Sequence, residues 1–416
     1  MIKKIIFSIS LLLIPIITLA SDNKAFGIGN HFYDTLEDAI LNANSTDTIA
    51  LYSNATLNNT ITIDKVINID LNGYDISSPS TSFLVKGGTL NIRGKGTIKE
   101  TEPNYGVIRV MGSTTNTNEL YSVVKIDKDV TLEGWAGIFI THTSNKSHGI
   151  LVNLDGNINA VTDVNGDEGA GIYINGSIKH EDSHPVINIT ENANITSNGT
   201  GLFIAGYATI NINKAYIKGK QSGIGIKAGK LNITYATIIC DGEDKTPTEG
   251  YNNGIKSSGT TIQIESNNGY AGNIELNIES GNMTSKNSNV IYEYIGKGNT
   301  TEVKSISISG GTFKSEAGKD VFLLSNSFKE THPSFISGGK YSSNPTSYLK
   351  SNYTADLEDN MYIVSKSTIA VFGETFNNEN NNFNSVFIII LILLISIIMF
   401  IYRLKILNFI KKIWAK

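Results

Sequence analysis

The feature that most constrains this chain is a short motif that returns at a nearly fixed interval. Gly201-Leu202-Phe203-Ile204, followed by Ile210-Asn211-Ile212, Ala215 and Ile217, is matched by Gly223-Ile224-Gly225-Ile226, followed by Leu231-Asn232-Ile233, Ala236 and Ile238; the first halves are offset by 22 residues and the second halves by 21. Repetition on this scale is the mark of a solenoid, in which each unit buries its apolar face only against its neighbours. The second half, apolar-x-apolar-x-x-Ala/Gly-x-apolar, returns at Leu276, Ile278, Gly281, Met283, at Ile306, Ile308, Gly311, Phe313, and more weakly at Ser334, Ile336, Gly339, Tyr341. A copy stretched by one residue has Ile187, Ile189 and Ile195. The later copies are 45, 30 and 28 residues apart, which implies either two coils or enlarged loops between them.

Within each copy apolar and polar residues alternate, so Leu231 and Ile233 face one way and Asn232 the other. Segments this short gain enough partners only if successive coils stack, each strand pairing in parallel with its equivalent one coil on. The expected fold is therefore all-β: a right-handed parallel β-helix with its inward residues in continuous apolar columns. Ala or Gly between two strands marks a corner too tight for a bulky inward side chain. Asn91, Asn211, Asn232 and Asn277 fall outward and are expected to form a solvated face, with a ligand-binding ladder as the alternative. Ahead of the strands, Thr35 to Ala43 reads as an amphipathic helix, with Thr35 as N-cap, Asp38 three residues on, and Leu36, Ala39, Ile40 and Ala43 on one face. Such a helix is expected to cover the open end of the stack.

The ends of the chain have a different character. Residues 1–20 read as a signal peptide, with Lys3 and Lys4, an apolar run from Ile5 to Leu19, and small residues that place cleavage after Ala20. Residues 21–370 are the expected ectodomain, with a closing unit near 334–366, and 371–385 form an Asn-rich spacer. Val386 to Tyr402 is an apolar run which as a helix spans roughly 25 Å, just enough for a transmembrane segment. The basic residues of 403–416 all follow it, which orients the tail to the cytoplasm and the ectodomain outside. The expected location is thus the cell membrane, crossed once by the C-terminal helix.

The single cysteine, Cys240, excludes an intramolecular disulfide framework and reads as a small buried hydrophobe. A net charge of -4 offers no electrostatic footprint for nucleic acid.

Tyr33 to Ile40, Ile49-Ala50-Leu51, Ile61-Thr62-Ile63, Val66 to Gly73 and Gly94 to Ile98 together resemble the opening of pectate-lyase-like β-helix proteins. More narrowly they are similar to surface proteins of low-GC Gram-positive bacteria built on that fold. Ile308 to Phe313 and Ile336 to Tyr341 fit the same pattern, and the segment through Asn344-Pro345, Tyr353 and Asn360 to Val364 looks like the last unit of such ectodomains. The resemblance covers about residues 31–366 and specifies fold far better than activity. Many such proteins carry an LPxTG-type sortase signal; the stretch before Val386 has none.

Lyases of this fold hold calcium with acidic side chains and use Arg or Lys as base, whereas its glycosidases use paired carboxylates. Only Arg93, Arg109 and Arg403 are present, and the first two read as exposed structural charges. Asp163, Asn165, Asp167 and Glu168 surround Gly166 as a partial calcium loop, although the later bidentate Glu of a complete one is missing. The competing reading is a plain polar turn, and no other cofactor is implied. His180 and His184 would make a zinc pair only on a helix, which Pro185 opposes. The expectation is a non-catalytic adhesion or structural module that meets glycans or host and cell-surface proteins. The alternative is a surface polysaccharide lyase or glycosidase.

Overall fold

The computed structural model describes residues 24–113, 119–142, 148–176, 184–246, 258–266, 272–295, 303–367, 370–371 and 374–375. Two compact units divide the chain, residues 1–365 and 366–416. In the second, the described residues form a short antiparallel pair, Ala370–Val371 with Glu374–Thr375.

The first unit is mostly β, with long parallel sheets consistent with a β-helix. Its strands follow one another in sets of three. The first face runs from Thr48–Leu51 and Val66–Asp70 to Val303–Ile308, the second from Ala55–Thr56 and Ile76–Ser78 to Gly339–Tyr341, and the third from Ile61–Ile63 to Phe322–Leu323. The third face is a separate ten-stranded sheet. The first two are continuous because Thr209–Gly219 and Gly229–Cys240 each run through the bend between them. At that bend the register slips between Ile212 and Ala215, and Lys214 takes the left-handed conformation at φ 63°. Ala215 and Ala236 are buried there, small enough for the chain to turn inward of them. Gly281 and Gly311 occupy equivalent corners at φ 124° and 102°, a region disfavoured for other residues.

The register turns the sequence alternation into columns. Ile49, Ile69, Ile92, Ile126, Leu154, Ile189, Ile212, Ile233, Ile278 and Ile308 stack one per coil, each at most 2% exposed. On the second face Ile217, Ile238, Met283, Phe313 and Tyr341 do the same, ending in the stacked rings of Phe313 and Tyr341. Leu231 pairs directly with Leu276, so the 45-residue separation is one coil with enlarged connections, not two coils. In the last copy Ile336 and Tyr341 keep the register of Ile308 and Phe313, but Ser334 is exposed and Phe335 is buried in its place. Cys240 is an inward residue of the second face, and burial pushes its thiol up to about 12.

The helix α1 (Leu36–Asn42) begins at Thr35, whose Oγ1 accepts from Asp38 N and donates to the Asp38 carboxylate. Leu36, Ala39 and Ala43 join the core, with Ile40 packed at its edge. At the start of the stack Phe26–Ile28 pairs antiparallel with Thr48–Leu51, and at its far end Gly339–Tyr341 pairs antiparallel with Met361–Lys366. A parallel stack is thus flanked at both described ends by strands that run against it. Among the described residues no helix is long and apolar enough to cross a membrane, and Val386–Tyr402 and the signal segment lie outside those residues.

Candidate functional site

The outward positions of the first face form a second set of columns. Asn68 stands opposite Asn91, Asn91 opposite Lys125, Lys125 opposite Asn153, and then Asn188, Asn211, Asn232 and Asn277 follow in register. Adjacent strands lie about 4.8 Å apart, the spacing at which one carboxamide donates to the next. Asn91 Nδ2 donates to Asn68 Oδ1 at 2.7 Å, and Asn188, Asn211 and Asn232 each donate to the preceding Asn at 2.9 Å. The ladder starts on main chain, where Asn68 Nδ2 donates to the carbonyls of Ser45 at 3.1 Å and Asp47 at 2.8 Å. Of the asparagines expected to be solvated, Asn91, Asn211 and Asn232 are half-buried and bonded within the ladder, whereas Asn277 is half-buried in register beyond it.

Lys125 breaks the ladder, and at the break Asn91 Oδ1 is buried and accepts no hydrogen bond among the described residues. Beside the ladder, at the turn toward the second face, stand Arg93, Asp127, Asp155 and Thr190. Together with Thr46, Thr48, Asn68, Asn91, Lys125 and Asn153 they line a groove of about 500 Å³. Arg93 is tied to Asp70 at 3.1 Å. Desolvation raises the Asp155 carboxyl, but this is outweighed by hydrogen bonds from Thr190 and Asn192 and by the charge of Lys128, which hold it below the usual carboxylate range. Asn192 Nδ2 donates to it at 2.9 Å. Asp155 therefore serves as a fixed anionic acceptor that also holds the next turn. Of the groove residues, sequence reading singled out Asn91 and Arg93; the signal for the others was outward alternation at one-coil spacing, obscured because those coils differ in length.

The four residues read as a calcium loop form a turn closed by its own hydrogen bonds. Asp163 Oδ1 accepts from Asn165 N at 2.8 Å and Asp167 N at 2.7 Å, and Asp163 N donates to Asp167 O at 2.8 Å. Gly166 turns at φ 90°, and Asn165, Asp167 and Glu168 face solvent. Among the described residues no group of three or more His, Cys, Asp or Glu side chains is placed to hold a metal. His180 lies outside the described residues, while His184 Nε2 is 2.6 Å from Thr209 Oγ1 and its ring packs on Tyr207.

Arg109 is not the exposed charge that was expected. It is half-buried on the outer side of the third face, its guanidinium 5.5 Å from the Tyr105 ring and 5.7 Å from that of Phe139. Phe139, Tyr173 and Phe203 continue its column in register; Phe139 and Tyr173 stack at 5.1 Å and Tyr173 meets Phe203 at 4.8 Å. Several acids are likewise spent on structure. Glu100 accepts the main-chain N–H groups of Gly106 and Trp135 at 3.0 Å, and Asp241 pairs with Lys218 at 2.7 Å and Lys286 at 3.6 Å.

No family model matches the chain, and neither does any curated protein or solved structure.

Proposed function

We propose that this protein is a non-catalytic cell-surface module that binds hydroxyl-rich ligands, glycans above all, in the groove on its first face. The observation that carries the reading is the groove's set of outward side chains, carboxamides, hydroxyls, two cations and two carboxylates set side by side on stacked strands, with Ile69, Ile92 and Ile126 also in its lining. A sugar presents paired donors and acceptors on a rigid ring, and binding is strongest where the protein groups are already fixed and lose little freedom. Asn68, Asn91 and Asn153 are held by the ladder and Asp155 by Thr190 and Asn192, so these groups are pre-ordered.

In the same proposal the coils wind as a right-handed β-helix of the pectate-lyase-like kind found on low-GC Gram-positive surfaces. The helix α1 covers one end, and the apolar run 386–402 anchors the rod with the basic tail inside. The resemblance in sequence and the basic residues that follow the run support this part.

The test is glycan-array and whole-cell binding by the full-length chain in detergent micelles, beside Lys125→Ala and Asn153→Ala. Retention on a defined set of glycans that falls at least tenfold in both variants is expected. Binding unchanged in both variants, or absent from glycans, matrix and cells alike, would sink the proposal.

A further inference from the structure

On the outer side of the third face, away from that groove, a set of polar side chains is almost fully buried. Register pairs Gly225 with Gln263 and Ile226 with Ile264, which brings Lys227 beside Glu265 on the neighbouring coil. Lys227 is 1% exposed, Gln263 3%, Glu265 6% and Ser258 3%. Lys227 Nζ is 3.0 Å from Glu265 Oε1 and 5.2 Å from the centre of the Phe203 ring. Gln263 Nε2 donates to Glu265 Oε2 at 3.4 Å, so one carboxylate bridges the lysine amine and the glutamine carboxamide. Gln263 Oε1 accepts from Ser258 N at 3.1 Å and Ser258 Oγ at 3.0 Å. A main-chain N–H can only donate, which fixes the carboxamide with its oxygen toward Ser258 and its nitrogen toward Glu265. Gly225 has no side chain to separate the two, and Lys227, Gln263 and Glu265 line one small cavity with Phe203.

We propose that Lys227 and Gln263 join in a self-catalysed isopeptide bond that ties two consecutive coils together. The Lys227 amine attacks Gln263 Cδ, and a proton passes from it to Glu265. Negative charge that develops on Gln263 Oε1 is held by the two Ser258 donors, the arrangement of an oxyanion hole. Glu265 then gives a proton to Nε2, the Cδ–Nε2 bond breaks, and ammonia leaves; carbon, nitrogen and protons balance without any co-reactant. The burial that surrounds Lys227 lowers the affinity of its amine for a proton against the pull of Glu265, which favours the neutral nucleophile. The bond would tie together two neighbouring strands 36 residues apart in the chain, in a chain whose one cysteine leaves no disulfide for that purpose.

The experiment is a tryptic map of the purified full-length chain under denaturing conditions. The expected product joins residues 221–230, uncut at Lys227, to residues 257–286, lighter than the sum of the two peptides by one ammonia. Recovery of peptide 221–227 cut after Lys227, together with an unmodified 257–286, would overturn the proposal. Loss of water in place of ammonia would also overturn it, because the acyl donor would then be Glu265. Glu265→Gln is expected to abolish the cross-link in soluble protein; its persistence there would remove Glu265 from the mechanism and overturn it as written. The wild-type map decides whether the bond exists even where the variant fails to fold.

Discussion

Asn211 lies in the middle of the carboxamide ladder, and its replacement gives a quantitative test of what the ladder contributes. It donates to Asn188 at 2.9 Å and accepts from Asn232 at 2.9 Å. Asn211→Ala removes both bonds, each with a net value of about 0.5–1.5 kcal/mol, for a sum of about 1–3 kcal/mol. The ladder is only half-buried, so water replaces part of the loss and the low end, about 1 kcal/mol, is expected. Asn211→Asp sharpens the test. A carboxylate still accepts from Asn232 but cannot donate to Asn188. Asn188 can answer by turning its carboxamide over, and Asn153 can follow, after which the oxygen of Asn153 points at its register neighbour Lys125, a donor with no acceptor function. The break in the ladder thus acts as a terminus that tolerates reversal.

Asn211→Asp should therefore cost less than Asn211→Ala. Lys125→Ala should be nearly silent in the wild type and cost about 0.5–1.5 kcal/mol more in the Asn211→Asp background, because the reversed segment then ends on an unpaired oxygen. The assay is urea unfolding of the four variants followed by circular dichroism and read as a double-mutant cycle. If Asn211→Ala lies within about 0.3 kcal/mol of wild type, the bonds contribute nothing net and the reasoning fails. Equal costs for the Ala and Asp variants without coupling to Lys125 would refute the reversal.

Three further outcomes follow from single sites. Ile238→Ala, in a fully buried column between Ile217 and Met283, should lower unfolding stability by about 2–5 kcal/mol in urea titration, with transfer and cavity costs both present. Gly281→Ala should cost more than Gly166→Ala in the same titration. Both have positive φ, but a Cβ on Gly281 would sit 2.2 Å from the Ala236 carbonyl oxygen, whereas one on Gly166 meets nothing within 4 Å. The Asp241 carboxyl is raised by desolvation, but Lys218 and Lys286 outweigh this and depress it below its ordinary 3.8. Its stabilising contribution is then fully present above pH 3.8 and is lost as pH falls through the lower folded value, so the stability gap between wild type and Asp241→Asn should be constant near neutrality and close in acid.

The parts of the fold that were legible in the sequence are those in which a single rule acts alone. Alternation places Leu231 and Ile233 inward whatever lies outside, and the Ala236 and Gly281 corners follow from the space left at a bend. In the last copy only the first position departs from the motif: Ile336 and Tyr341 keep their columns, while Phe335, one residue past Ser334, supplies the ring that packs against Phe322 and Tyr348. Outward positions obey no such rule. Alternation sends Phe139, Tyr173 and Phe203 out toward water, yet each is at most 8% exposed because they pack on one another along the column. The same column holds Arg109 against aromatic faces, an environment that no local pattern around residue 109 announces.

The groove was hidden for a related reason. Its residues are one coil apart in space, but Asn68, Asn91, Lys125 and Asn153 are separated by 23, 34 and 28 residues in the chain. Where coils keep a constant length, as at Asn211 and Asn232, the column is plain in the sequence, and Asn91 and Asn277 are placed by their copies of the motif rather than by spacing. Insertions of unequal length leave the inward columns aligned, since every coil must still close around the same core, while they scatter the sequence spacing of the outward residues. Lys227 and Gln263 are a further case, on neighbouring coils but 36 residues apart in the chain. Ser258, the donor that orients Gln263, stands ahead of the strand and outside the repeat, so no repeat pattern points to it.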